Sequence, residues 1–197
     1  MFLYLSEVPT SFVFFECIIW GAFLGIPFVI WHFREYFKKT KKRIGIVGVL
    51  FLGWGILGYG SFIEPQRLVL RQFQIQDSTL PTLRIAVISD LHAGPYKGQA
   101  YFQKIVNRIN NLENIDMVLM PGDFFYGNIQ RFSGELSPLS ALKYPSFVIQ
   151  GNHDHYATGK SDIHPSKSVS LALKKYGLRE LKNEAFFIED QGIWILG

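Results

Sequence analysis

Arg84-Ile-Ala-Val-Ile-Ser-Asp-Leu-His-Ala-Gly94 is the stretch that decides the fold. Its β-branched apolar run ends in Asp90 and His92, so a buried strand is expected to deliver two metal-ligand side chains at its carboxyl end. Open α/β sheets usually place their sites at that end. Met117-Val-Leu-Met-Pro-Gly-Asp123 and Phe147-Val-Ile-Gln-Gly-Asn-His-Asp154 have the same form. Taken singly, Asp90 reads as a turn or cap residue, His92 as a surface histidine and Asn152 as a turn. Three apolar strands that each present Asp, Asn or His at one end point instead to a shared site.

The donor types suggest what that site holds. Asp90 and His92 supply a hard oxygen and an imidazole. Asp123 follows Gly122, where the backbone can turn tightly, and its two oxygens allow it to bridge two cations. Asn152, His153 and Asp154 add an amide oxygen, a second imidazole and a second carboxylate. Mixed nitrogen and oxygen donors suit Mn, Fe, Zn or Ni. Two such cations clamp a phosphoryl group and lower the pKa of water.

The first third of the chain has a different character. Residues 12–33 are almost continuously apolar, interrupted mainly by Glu16, and residues 44–63 contain no charge. Each run matches the roughly 20 residues that cross a bilayer core. No basic residue precedes the first run, which argues against a signal peptide. Residues 1–64 are therefore expected to form a two-helix transmembrane hairpin. Its loop, residues 34–43, carries six Lys or Arg against one acid, a local net of +5 in a chain of net charge +4. That bias predicts a cytoplasmic loop, with the rest of the chain outside in a cell membrane. The basic pI is thus local and indicates no nucleic-acid partner. Gly21 and Gly25 have the small-xxx-small spacing that permits close helix packing. The one cysteine, Cys17, excludes an internal disulfide.

Residues 65–197 read as an α/β domain. Leu68, Leu70, Phe73 and Ile75 suggest an irregular strand, followed by a turn over 77–81. Phe102, Ile105, Val106, Ile109 and Leu112 predict an amphipathic helix over 99–112. Ser137-Pro138 predicts the start of a short helix through Leu142. A further helix is expected over 166–176, stopped by Gly177, and strands over 186–189 and 193–196. The order β-α-β-α-β-α-β-β is that of an α/β layered fold.

Asp-x-His, then Gly-Asp, then Gly-Asn-His-Asp, each after an apolar strand, resembles the calcineurin-like metallophosphoesterase superfamily over residues 83–196. The resemblance implies the first half of a four-layer αββα sandwich and two divalent metal ions. It implies that Asp90 and His92 hold one metal, that Asp123 bridges both and that Asn152 holds the second. His153 would contact the phosphate and protonate the leaving oxygen, oriented by Asp154. The apolar hairpin and the Gly-Asn-His-Asp form are similar to the membrane-anchored branch, which includes UDP-2,3-diacylglucosamine hydrolases. Two departures stand out. Phe124-Phe-Tyr-Gly127 follows the Gly-Asp, where the family often has an acid. The family's later histidine motifs have no counterpart up to Gly197, so residues 1–197 alone are expected to be inactive.

The function expected is a membrane-anchored dinuclear-metal phosphoric-ester hydrolase, of phosphodiesterase or pyrophosphatase type. Its partners would be the lipid bilayer and a phosphoester, such as a lipid-linked sugar nucleotide. His155 extends the third motif as a candidate substrate contact, weighed against an exposed loop histidine. The alternatives are an inactive fragment of such an enzyme and a non-catalytic membrane-bound binding module.

Overall fold

The computed structural model describes residues 10–34, 41–78, 81–156 and 164–197. Most of the predicted basic loop, residues 35–40, and part of the predicted turn at 77–81 lie outside the described residues. So do the side chains of Glu16 and of the remaining loop cations, Lys41, Lys42 and Arg43. The chain divides into two compact units, residues 1–69 and 70–197.

The first unit is a helix pair. Helix α1 spans Thr10–His32 and helix α2 spans Lys41–Gly58. Helix α2 continues through a π-helical turn, Tyr59–Ile63, and a 3-10 turn, Glu64–Gln66, in which Pro65 has no amide to extend the ladder. Pro27 lies inside α1 and likewise has no N–H, so the carbonyl four residues earlier, on Phe23, loses its helical donor. Trp54 replaces it: its indole Nε1–H donates to the Phe23 carbonyl at 2.7 Å. The rings of Phe23 and Trp54 stack at 5.0 Å, and Phe62 meets Phe23 edge-on at 5.4 Å and Trp20 at 5.1 Å. At Gly58 an added Cβ would lie 3.0 Å from the Phe23 ring, so the helices need a hydrogen there.

By length and composition one described helix can cross a membrane: Ile44–Gln66, 23 residues of mean hydropathy 1.9, none of them buried within the molecule. The apolar stretch described on α1, Cys17–His32, is shorter. The expectation of two spans is thus met by one candidate span.

The second unit is a mixed α/β fold around a parallel sheet. Strands β1 (Ile85–Val87), β2 (Met117–Pro121), β3 (Ser146–Ile149) and β4 (Arg179–Glu180) lie in that order, all parallel. Helix α3 (Gln99–Asn110) connects β1 to β2 and buries Phe102, Ile105, Val106 and Ile109, the stripe its spacing predicts. Helix α4 (Ile129–Phe132) and a 3-10 helix, Ser133–Ala141, fill the next crossover, so the helix expected from Ser137 starts earlier and winds more tightly. Helix α5 (Asn152–Tyr156) and helix α6 (Pro165–Lys175) precede β4. On one sheet face α3 and α6 enclose a core containing Val118, Met120 and Val148. On the other, Met117, Phe147 and Leu181 pack against an antiparallel hairpin, β5 (Ala185–Ile188) and β6 (Ile193–Leu196).

One expected strand is absent. No strand is described between residues 67 and 77, where Phe73 and Ile75 are 86% and 90% exposed. An irregular alternation gives neither face anything to bury, and among the described residues no neighbouring strand supplies a ladder.

Candidate metal centre

The three loops that leave β1, β2 and β3 are laced into one surface. Past the strand ends the backbone pairing continues: His92 N–H donates to the Asp123 carbonyl at 2.9 Å, and Ala93 N–H to the Phe124 carbonyl at 2.7 Å. Tyr126 N–H returns a bond to the Ala93 carbonyl at 3.0 Å. Asp90, His92 and Asp123 have φ of 57°, 47° and 57°, a left-handed conformation uncommon outside glycine. Each such residue costs on the order of 1–3 kcal/mol, and such strain concentrates at functional sites.

Two glycines allow the β2 and β3 loops to meet. Gly122 has φ of 83°, and a Cβ there would lie 2.7 Å from Gly151 Cα. A Cβ on Gly151 would run into the Asp123 carboxylate and lie 2.6 Å from Asp123 N. With only hydrogens in the gap, His153 N–H donates to Asp123 Oδ1 at 3.0 Å.

Asp154 joins the same loops from beneath. It is buried, and Oδ1 accepts from the amides of Phe124 at 2.9 Å and Phe125 at 3.1 Å. Its Oδ2 accepts from Gly151 N–H at 3.0 Å. Burial pushes this carboxyl up, while the three amides and the nearby Asp123 charge act in opposite senses. The described hydrogen bonds of Asp154 run to backbone amides. This differs from the expected partnership with the His153 ring, because a carboxylate so deeply buried takes the donors lining its own pocket.

Above this scaffold the donors converge. Ligand atoms of His92, Asp123 and His153 lie within 4.8 Å of one another. His92 Nε2 is 3.7 Å from Asp90 Oδ1 and 4.0 Å from Asp123 Oδ2, too far for direct hydrogen bonds. His92 Nδ1 is buried without a hydrogen-bond partner among the described residues. Burial, foremost, and the neighbouring His153 and Lys97 hold the His92 pKa below its usual value; Asp123 and Asp90 oppose them. A neutral imidazole is the ligand form. Carboxylate and imidazole side chains that converge without hydrogen-bonding one another fit a divalent cation held between them.

Other expected residues stand further out. Asn152 opens α5 and is exposed, with no described contact tying its amide to the cluster. His155 is exposed on the same helix. Two residues not singled out from sequence line the site. The Tyr126 ring lies 6.0 Å from the rings of both His92 and His153. Lys97, in the loop after His92, donates from Nζ to the Asp90 carbonyl at 3.2 Å. The aromatic residue in place of the usual acid, and a lone cation beside Gly94-Pro95, were the available signals.

Comparison with known proteins accords with this geometry. The family model for calcineurin-like phosphoesterases matches residues 83–194. A transmembrane protein with metallophosphoesterase domain from Danio rerio is 30% identical over 124 residues, 61% of this chain and 27% of the relative. An uncharacterized metallophosphoesterase of Helicobacter pylori strain 26695 is 34% identical over 160 residues, 78% of this chain and 43% of the relative. UDP-2,3-diacylglucosamine pyrophosphatase LpxG of Chlamydia muridarum is 31% identical over 136 residues, 64% of this chain and 39% of the relative. The chain thus spans less than half the length of each of these relatives.

Proposed function

The chain belongs to the calcineurin-like phosphoesterase family, and on that premise we propose that it is a membrane-anchored, dinuclear-metal hydrolase of phosphoric esters. The family makes it a hydrolase by type. The observation that carries the reading is the convergence of His92, Asp123 and His153 where β1, β2 and β3 end. Asp90, His92, Asp123 and Asn152 would hold the ions, Asp123 bridging. When bound, two divalent cations supply Lewis-acid charge stabilisation of the phosphoryl oxygens and a more acidic water.

The chain's own residues do the rest. Asp123 is fixed by His153 N–H, and the β2 and β3 loops are pinned by Asp154, a positioning residue. Water attacks phosphorus and releases its proton to solvent, the P–O bond to the leaving group breaks, and a His153 ring nitrogen gives its proton to the departing oxygen and regains one from solvent. His155 is retained as a candidate contact to the rest of the substrate. The grouping of His153 with His92 and Asp123 also suits a ligand role. Turnover lost with metal content kept in His153→Ala identifies the acid; metal content lost identifies a ligand.

The substrate we propose is an amphiphilic phosphoester or diphosphate. The candidate span on the same chain and the likeness to relatives named as a transmembrane protein and as a UDP-2,3-diacylglucosamine pyrophosphatase support it. Both apolar runs would cross the membrane, with residues 34–43 cytoplasmic and the domain outside. Impermeant labelling of Ser78→Cys but not Thr40→Cys in intact cells supports that topology, and the reverse pattern refutes it. The function is tested with the full chain in detergent, using bis(p-nitrophenyl) phosphate and p-nitrophenyl phosphate with Mn(II). Hydrolysis stopped by chelation and lost in Asp123→Ala supports the enzyme. Bound Mn(II) without turnover leaves in its place the inactive fragment expected from the missing histidine motifs, or the metal-binding module.

A further inference from the structure

Lys97 is not among the residues assigned above, yet its ammonium lies at the edge of the metal centre. Nζ donates to the backbone carbonyl of Asp90, a proposed ligand, at 3.2 Å. The cation sits 5.4 Å from the centre of the Tyr101 ring. It is half-buried, and burial disfavours its charged form, with Asp90 opposing. Among the described residues no carboxylate lies within ion-pair distance of it. An ammonium has three donors, and the one described hydrogen bond occupies one of them.

A lysine here is unfavourable for a site that binds only metal. Its charge reaches His92, whose affinity for protons it lowers, and it repels a cation held by the same imidazole. That repulsion becomes attraction once an anion lies between the two positive charges. A phosphoryl group has this property: its non-bridging oxygens can face a metal on one side and an ammonium on the other. The benefit scales with the anion's charge, so a dianionic phosphate gains more than a monoanionic diester. The neighbouring loop is built to hold the stem in place, with Gly94 N–H bonded to the Lys97 carbonyl at 3.3 Å.

We propose that Lys97 is a substrate-binding residue that contacts a non-bridging phosphate oxygen and selects for phosphomonoester or diphosphate groups over monoanionic diesters. The inference rests on the metallophosphoesterase reading above. It is tested by binding, with the full chain in detergent, Mn(II) present, and two probes: inorganic phosphate at pH 8 and dimethyl phosphate. Calorimetry is run on the parent, Lys97→Met and Lys97→Arg.

One charge-assisted hydrogen bond corresponds to about 10- to 100-fold in affinity. Lys97→Met is expected to weaken inorganic phosphate by that factor, to change dimethyl phosphate by less than about threefold, and to leave Mn(II) affinity equal or tighter. Lys97→Arg is expected to restore most of the phosphate affinity. Equal losses for both probes, or a fall in melting temperature matched by a fall in Mn(II) affinity, would make Lys97 a loop tether and overturn the proposal. So would a phosphate affinity in Lys97→Met within twofold of the parent. A parent that binds no Mn(II) overturns the metal-centre reading itself, and the Lys97 assignment with it.

Discussion

Removing the Asp154 carboxylate should loosen the whole site without touching a metal ligand. The side chain is fully buried and accepts three amide hydrogen bonds, at 2.9, 3.1 and 3.0 Å. A hydrogen bond to a charged group contributes about 1.5–3 kcal/mol net, but burial of the carboxylate offsets part of the sum. Asp154→Ala leaves the amides of Phe124, Phe125 and Gly151 without acceptors and is expected to destabilise the domain by about 3–5 kcal/mol. Asp154→Asn keeps an oxygen for Phe124 and Phe125 but points an N–H at Gly151 N–H; the expected loss is about 1–3 kcal/mol. Denaturant unfolding of the full chain in detergent measures both. Amide hydrogen exchange adds the local readout, with protection at Phe124, Phe125 and Gly151 falling before that at Val118 or Val148. If Asp154→Ala unfolds within about 0.5 kcal/mol of the parent and those amides stay protected, the lacing of the β2 and β3 loops is wrong.

The apolar helix pair offers an independent test. Trp54→Phe orphans the Phe23 carbonyl and should weaken the pair by about 0.6–1.7 kcal/mol, whereas Pro27→Ala in the same background supplies the missing N–H and should recover most of it. Absence of recovery in a thermal-unfolding comparison would refute the exchange of donors. Gly151→Ala forces a methyl against Asp123, so a loss of about 1–3 kcal/mol with weakened Mn(II) binding is expected, and a calorimetric titration unchanged from the parent would contradict the close approach. Asp123→Asn should weaken Mn(II) binding about tenfold more than Asp90→Asn, because the Asp123 side chain is 15% exposed and Asp90 64%, which leaves Asp90 more screened; equal losses in the same titration would remove the special role of Asp123.

The parts visible in the sequence were those in which one local pattern determines the outcome. β1, β2 and β3 were legible as strands because apolar runs end in Asp, Asn or His, although β1, expected to be buried, leaves Ile85 and Val87 exposed. α3 was legible because Phe102, Ile105, Val106 and Ile109 repeat at helical spacing. β4 is only Arg179 and Glu180, two polar residues too few to show a period. α5 is a five-residue helix whose Asn152, beside Gly151, reads as a turn. Residues 67–77 went the other way: the irregular alternation of Leu68, Leu70, Phe73 and Ile75 suggests a strand, but strand formation needs a neighbour, and a local pattern carries no information about one. In the site, Asp90, His92 and Asp123 stood out by residue type. The backbone bonding of Asp154 did not, since it depends on amides 29 and 30 residues away. Lys97 escaped for a similar reason, because its contact is with the backbone of Asp90 and leaves no spacing rule behind.

Equilibrium Mn(II) binding by the purified full chain, read from the electron paramagnetic resonance of the free ion, tests the central claim that the loops after β1, β2 and β3 build a divalent-metal centre. Saturable binding that chelation reverses, and that His92→Ala and Asp123→Ala each abolish while the fold melts as the parent does, is the result expected from the converging donors. A parent that leaves all Mn(II) free, or variants that bind as well as the parent, would contradict it.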